Sequence, residues 1–546
     1  MSISMRRKFF ICAFIFALAL ALSGAAFAEI ISGPDIAVVE VEGGKLQGYI
    51  SNNNNINIYT YHGVPYAEAE LFMPPSKLKS WDGIKMAVTY GAVSPQGTSQ
   101  AEDMFAAHWY WPLWQTRNYQ QDNNCQNLNI WTPGLDDAKR PVMVWLHGGG
   151  FEAGSSSVED IYDGENLSRK GDVVVVSVNH RLNVLGFLDL SAYGSEYKYS
   201  GNLGVMDLVA ALEWIKNNIA AFGGDPDNIT LFGQSGGGAK ILTLMATPAA
   251  KNLFHKAIEQ SGAVELMGIT LPDQKASRRV AELTLKNLEV SHPSELKNIN
   301  YARLRAAADK AMAQAIKEGE IIYSWSPVKD GDYIPADPVA NGFPEQAKNI
   351  PLLIGSCLNE WQTVPLFANM AITQSDNKNF WTDAQVNLKL KEKYGDKADA
   401  IIKAFKQAYP SKKAADALYV DTWLRARALK TMNIKAAQNG APVYAYVFTW
   451  ETPVMGGYAM AYHCSELPFV FNNIALSEMS TGGGAKAQAL ADKVSQAWIN
   501  FARTGNPGWK NYTRSKGATM IIDDELAVAY HHDADLMKLL MPDYEY

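Results

Sequence analysis

Cysteine is scarce in this chain, with four among 546 residues, so a small scaffold stapled by disulfides is excluded. A positive balance is missing as well. Lys and Arg together number 49 against 56 Asp and Glu, a formal net charge of −7, and such a surface does not suit nucleic acid. No internal repeat and no long Pro-rich or Ser-rich linker interrupts the chain, which argues against repeat arrays and strings of small domains. After residue 28 no stretch is long and apolar enough to span a bilayer. The hydrophobic fraction of 47% and the charged fraction of 19% are those of an ordinary globular protein, neither disordered nor membrane-embedded.

The first 28 residues have a composition of their own. Arg6, Arg7 and Lys8 precede an apolar run over 9–22, and Ala26-Phe27-Ala28 stands before Glu29. A basic start, an apolar centre and small residues at a boundary read as an export signal cleaved after Ala28. The run is short for a membrane anchor, and no cysteine follows it to take a lipid. The expected product is periplasmic or secreted, spans 29–546 as one catalytic domain, and is more acidic still. Cys12 leaves with the signal, so Cys125, Cys357 and Cys464 remain and at least one thiol is unpaired.

Behind Glu29, short β-branched runs alternate with segments of helical spacing. Residues 142–146 and 173–178 are near-continuous apolar β-formers, the pattern of strands covered on both faces of a parallel sheet. Val205, Leu208, Leu212, Ile215 and Ile219 then recur at helical spacing before another β-run at 229–232. Strand, helix, strand is the α/β unit, joined by a right-handed crossover. Residues 351–355 and Val443–Phe448 read as later strands, while 264–320 and 381–437 read as mainly helical segments that cap or flank the sheet.

The chemistry is concentrated where strands end. Gly233-Gln234-Ser235-Gly236-Gly237 lies between the run at 229–232 and a helix expected over 239–246. A serine on a tight strand-to-helix turn is thrust into the open, and its glycine neighbours leave room for the turn. Upstream, His147-Gly148-Gly149-Gly150-Phe151 follows the strand ending at Leu146. Unhindered amides there, with the amide after the serine, can hold an oxyanion; the expected donors are Gly149, Gly150 and Gly236. A serine nucleophile needs a base and an orienting acid, which follow in chain order on loops after later strands. His463 fits the base. His531 and His532, beside Asp533, read as a solvated surface pair. Glu360, just beyond the strand at 351–355, fits the acid, with Asp330 in reserve.

With these residues assembled, the chain resembles the type-B carboxylesterase/lipase family, which includes the cholinesterases. The resemblance runs from about 44 to 507. It is carried also by Tyr61-His62-Gly63-Val64-Pro65-Tyr66-Ala67, by Leu128-Asn129-Ile130-Trp131-Thr132-Pro133, by the run from Val178-Asn179-His180-Arg181 to Leu185-Gly186-Phe187, and by Ala221-Phe222-Gly223-Gly224-Asp225-Pro226. It implies an α/β-hydrolase fold, with a central, mostly parallel sheet flanked by helices and carrying helical cap insertions. It also implies a deep gorge, a Ser/Glu/His triad matching Ser235, Glu360 and His463, and no metal or cofactor. The implied substrate is a small carboxylic ester. An amidase or carbamate hydrolase with the same machinery, or a non-catalytic binding relative, is the alternative. Oligomeric state is left open.

The chain departs from the family at several points. Gln234 stands where the family usually has Glu, which removes a carboxylate from the gorge floor and weakens the case for quaternary-ammonium substrates. The family's first disulfide has no partner for Cys125, because Ser94-Pro95-Gln96 offers no thiol. Leu71 and Asn123 stand at both ends of a family ion pair, a coupled loss that leaves no orphan charge. Cys357 and Cys464 flank the acid and the base; two separate buried thiols are expected, with a bridge between them as the alternative. Phe151 and Gln234 are expected to touch substrate. So are Trp109 and Trp111, in an aromatic cluster with Phe105, His108, Tyr110, Trp114 and Tyr119 that selects apolar or aromatic esters. Replacing Trp109 and Trp111 with Ala should change the relative rates on aromatic and short aliphatic esters; an unchanged profile rejects that role.

Overall fold

Alternation along the strands decides the two-sided architecture. In the run 142–146, Val142, Val144 and Leu146 join one apolar cluster, while Met143 and Trp145 join another on the opposite face. Ile229 and Leu231 against Phe232, and Leu352 and Ile354 against Leu353, divide the same way. Successive side chains of a strand point to opposite faces, so a strand apolar at every position must be covered twice.

The computed structural model describes residues 29–53, 55–97, 119–265, 270–339, 342–363 and 376–545. Its strands are β1 (Glu29–Ile31), β2 (Val38–Val41), β3 (Gly44–Gln47), β4 (Tyr49–Asn53), β5 (Ile56–Pro65), β6 (Ile84–Met86), β7 (Asn127–Thr132), β8 (Arg140–Leu146), β9 (Val174–Val178), β10 (Gly224–Gln234), β11 (Lys256–Gln260), β12 (Leu352–Cys357), β13 (Val443–Phe448), β14 (Ala518–Ile522) and β15 (Leu526–Tyr530). Twelve form one sheet in the order β1-β4-β5-β7-β9-β8-β10-β11-β12-β13-β14-β15, and β2, β3 and β6 form a small second one. From β9 to β14 the neighbours run parallel. Antiparallel strands complete both flanks.

Helices cover each face. The longer ones are α1 (Leu203–Asn218), α2 (Gly236–Ala246), α3 (Gln274–Leu288), α4 (Tyr301–Lys317), α5 (Asp383–Tyr394), α6 (Ala398–Ala408), α7 (Trp423–Ala437) and α8 (Gly484–Thr504). Leu208 and Leu212 of α1, Ile241 and Leu244 of α2, and Val280 and Leu304 of α3 and α4 fill the first core. Leu390, Phe405, Val494 and Trp498 of α5, α6 and α8 fill the second. The helical segments expected over 264–320 and 381–437 are thus present; the first packs in the first core, while the second gives α5 and α6 to the second core and Ala426, Leu429 and Met432 of α7 to the first. Among the described residues no helix is long and apolar enough to cross a membrane.

One ion pair ties the segment after β9 to α1. Arg181 and Asp207 are both buried, with Nη2 to Oδ1 at 2.7 Å and Nε to Oδ2 at 2.8 Å. Asp207 also accepts from the Arg181 amide and from Gln126, and Arg181 donates to the Met73 carbonyl at 2.7 Å. Asp207→Ala leaves the guanidinium buried without its counter-ion. It should lower unfolding stability by about 3–5 kcal/mol in urea titration, and a loss below about 1 kcal/mol would reject this account.

Candidate active site

The three candidate residues sit on loops at the carboxyl ends of β10, β12 and β13, the edge where open α/β sheets bind ligands. Ser235 lies between β10 and α2 with φ 55° and ψ −125°, a conformation that costs a non-glycine residue of the order of 1–3 kcal/mol. Packing imposes it. A Cβ on Gly237 would stand 1.9 Å from the Leu146 carbonyl oxygen, and one on Gly262 would stand 2.2 Å from that of Ser235. The start of α2 is therefore pressed against the ends of β8 and β11. A Cβ on Gly236 would meet the Gly150 backbone at 2.3–2.4 Å, so the two expected arms of the oxyanion site lie side by side. Gly149 and Gly150 turn through φ 85° and 64°.

Glu360 and His463 are brought together from 103 residues apart. Glu360 Oε2 lies 2.5 Å from His463 Nδ1, with both side chains buried. The other carboxylate oxygen accepts from Ser261 Oγ and from the Cys357 amide, each at 2.7 Å. Glu360 has φ 31° and Cys464 φ 76°, so each of the three loops carries a left-handed non-glycine residue. Burial pushes the Glu360 carboxyl up, opposed by the Ser261 hydroxyl and the Cys357 amide, which favour the carboxylate. Burial also drives the His463 imidazole down to about 4, with the charges of Glu466 and Asp421 acting in the other direction.

The residue before the serine lies against the His463 ring. Gln234 Nε2 lies 3.1 Å from His463 Nε2 and 3.4 Å from Nδ1, while Gln234 Oε1 accepts from Cys464 Sγ at 3.1 Å. Among the described residues the Ser235 hydroxyl has no hydrogen-bond partner. Such bonds are often unformed in unliganded sites and tighten with substrate. Trp361 lies against the imidazole, with ring centroids 4.1 Å apart and planes at 30°. That contact favours a protonated ring.

Several expectations are corrected here. Phe151, expected at the substrate, is 1% exposed and packs edge-on against Phe187 at 5.3 Å. Asp330 is a turn residue: it accepts from the Asp332 and Ile334 amides at 2.9 Å and from Asn202 at 3.0 Å. His532 is not solvated; its side chain is 5% exposed, and Nε2 lies 3.3 Å from the Tyr409 hydroxyl. The expectation of two separate thiols holds: Cys357 and Cys464 are both free, Cys357 buried and Cys464 partly so, and Cys357 Sγ donates to Glu466 at 3.1 Å. Trp109 and Trp111 lie outside the described residues. Among the described residues no His/Cys/Asp/Glu group is arranged to hold a metal. Ser261, Trp361 and Glu466 escaped the sequence reading. Glu466 stands three residues after His463, but nothing local marks it as buried beneath the site.

A mostly parallel sheet covered on both faces, with a strained serine turn at the end of a central strand, defines an α/β hydrolase. The chain belongs to the carboxylesterase family, whose model matches residues 35–535. Para-nitrobenzyl esterase of Bacillus subtilis is 33% identical over 519 residues, covering 92% of this chain and 98% of that protein. Phenmedipham hydrolase of Pseudarthrobacter oxydans is 31% identical over 487 residues, covering 86% and 92%. Among solved structures, an esterase from the anaerobe Clostridium hathewayi that can hydrolyse aliphatic aromatic polyesters matches with a TM-score of 0.84. Its identity is 36%, over 94% of this chain and 99% of that one. A thermophilic PNB esterase matches at 0.71 with 30% identity, over 92% and 99%. The family makes this protein a carboxylic ester hydrolase.

The lowered His463 basicity sets a pH expectation. An unfolded histidine takes its proton near 6.5 and the folded His463 only near 4, so in that interval the folded state binds fewer protons. Stability therefore falls as pH drops below about 6.5, and the neutral imidazole persists to lower pH than in an exposed histidine. The acid limb of kcat/KM should have its midpoint below 6.5; a midpoint at or above 6.5 contradicts the burial argument.

Proposed function

We propose that the protein is an exported serine esterase in which Ser235, Glu360 and His463 form the triad. His463 Nε2 takes the Ser235 proton, Glu360 holds the imidazole through Nδ1 and steadies the imidazolium, and Ser235 Oγ attacks the ester carbonyl. The amides of Gly149, Gly150 and Gly236 receive the oxyanion, a contribution of about 3 kcal/mol for each donor. His463 then gives the proton to the departing alcohol. Water repeats the attack on the acyl-enzyme with the same base.

The observation that carries this reading is the buried 2.5 Å contact of Glu360 with His463 beside the strained Ser235 turn. Apolar or aromatic esters are the proposed substrates. They fit the aromatic segment around Trp109 and Trp111 and the named substrates of two relatives, a para-nitrobenzyl esterase and an esterase acting on aliphatic aromatic polyesters. Hydrolysis of a carbamate is the second reading, favoured by the relative named phenmedipham hydrolase.

Hydrolysis of a short p-nitrophenyl ester by the mature protein and by Ser235→Ala tests the nucleophile. The substitution should cost on the order of 10⁶-fold in kcat. Equal, near-background rates for both proteins would overturn the esterase mechanism. Export is tested on the same material: the full-length product should be recovered outside the cytoplasm beginning at Glu29, and an uncleaved cytoplasmic protein would reject it.

A further inference from the structure

Lys240 is a buried group that the mechanism leaves unused. It lies on α2 five residues after Ser235 and is 0% exposed, and among the described residues no carboxylate pairs with it. Taking an amine out of water with no counter-ion is costly, so its partners need an explanation. Its Nζ donates to the His147 carbonyl at 2.8 Å and lies 5.7 Å from the centroid of the Phe151 ring. His147 and Phe151 are the two ends of the glycine turn that contains Gly149 and Gly150. The turn therefore closes around a single amine.

The surroundings are built to match. The rings of His147 and His180 stack 5.2 Å apart with planes at 23°. Nδ1 of each lies 2.8 Å from a main-chain carbonyl, of Gly148 and of Arg181. A carbonyl only accepts, so each Nδ1 carries the hydrogen and each Nε2 is a bare acceptor, buried and, among the described residues, without a partner. Burial holds both rings neutral, and it drives the Lys240 amine well below the ordinary lysine value too. Lys240 also sits one helical turn from Gly236, on the same face of α2. The helix turn that presents the Gly236 amide thus also grips the start of the opposite arm.

We propose that Lys240 is a positioning residue for the oxyanion hole, holding the Gly149–Gly150 turn in register with the Gly236 amide. This rests on the assignment of Ser235 and those three glycines given under Proposed function. Donors that must converge on one oxygen tolerate little displacement, since a shift of about 1 Å at a reacting centre can cost roughly 10²-fold in rate.

The test compares Lys240→Met, which keeps the stem and removes the N–H groups, with the wild-type protein and Ser235→Ala. The readouts are kcat and KM on a short p-nitrophenyl ester, the affinity for an alkylboronic acid, and Tm. The boronic acid adds Ser235 Oγ to boron, forming a tetrahedral anion with one oxygen in the oxyanion site, and the serine proton passes to His463. Lys240→Met should lose about 10- to 100-fold in kcat with KM within about threefold, lose boronate affinity by a similar factor, and keep or raise Tm. Wild-type kcat and boronate affinity would overturn the proposal. So would a fall in kcat without a fall in boronate affinity, or a collapse of Tm, because each makes Lys240 inert or merely structural. Ser235→Ala separates the two ideas. If it keeps hydrolysing the ester, the nucleophile assignment fails; if it is inactive while Lys240→Met behaves as wild type, only the role of Lys240 fails.

Discussion

Steric clearance where β10 meets α2 is the constraint on which the rest of the site depends. Gly236, Gly237 and Gly262 face main-chain atoms so closely that a methyl group at any of them would stand 1.9–2.4 Å from backbone. Side chains there would lift α2 off the sheet, whereas their absence lets the helix seat against the ends of β8 and β11. Three consequences share that cause. Ser235 is forced to positive φ and out of the strand, Gly236 comes against Gly150, and Lys240 on the next turn of α2 reaches the His147 carbonyl. The strain at Ser235 is borne by the many contacts that hold α2 down, in keeping with strained residues at functional sites.

Electrostatics behind the imidazole follow from burial. Glu259, Glu360 and Glu466 are all buried, and burial pushes each carboxyl up; for Glu259 it reaches about 8. Only Glu360 touches the imidazole, and its two oxygens have separate tasks. Oε2 faces His463, while Oε1 is occupied by Ser261 and Cys357 and cannot rotate away. In this setting a neutral residue at 234 has a physical sense. A carboxyl group there would add a fourth buried acid beside three, whereas the Gln234 amide lies against the His463 ring and accepts from Cys464.

Legibility followed the range of the interactions involved. β8, β9, β10, β12 and β13 could be read because strands covered on both faces are apolar at nearly every position, and α1 because its apolar residues recur at helical spacing. The short partners were not legible. β2, β3 and β6 have three or four residues each, β14 has five, and β15 carries a mixed pattern of exposure that local periodicity does not separate from loop. At the site, Ser235 and the glycine turn announced themselves through short-range backbone requirements. Phe151 did not, because whether an aromatic beside a glycine turn faces substrate or core depends on Phe187, which arrives from a distant segment. His532 was misread for the same reason: its cover is the ring of Tyr409, 123 residues away in sequence.

By itself the sequence determined the strand-to-helix turn at Ser235, the glycine turn at 148–150 and the two-sided burial of the central strands, because each is a demand that a few adjacent residues impose on their own backbone. Only the tertiary structure decided which carboxyl meets the His463 imidazole, what else lies against that ring and which carbonyl the buried lysine reaches. Glu360 and His463 are 103 residues apart, Gln234 and His463 are 229 apart, and Lys240 and His147 are 93 apart. Their contacts are set by strand order in the sheet, which no local pattern encodes.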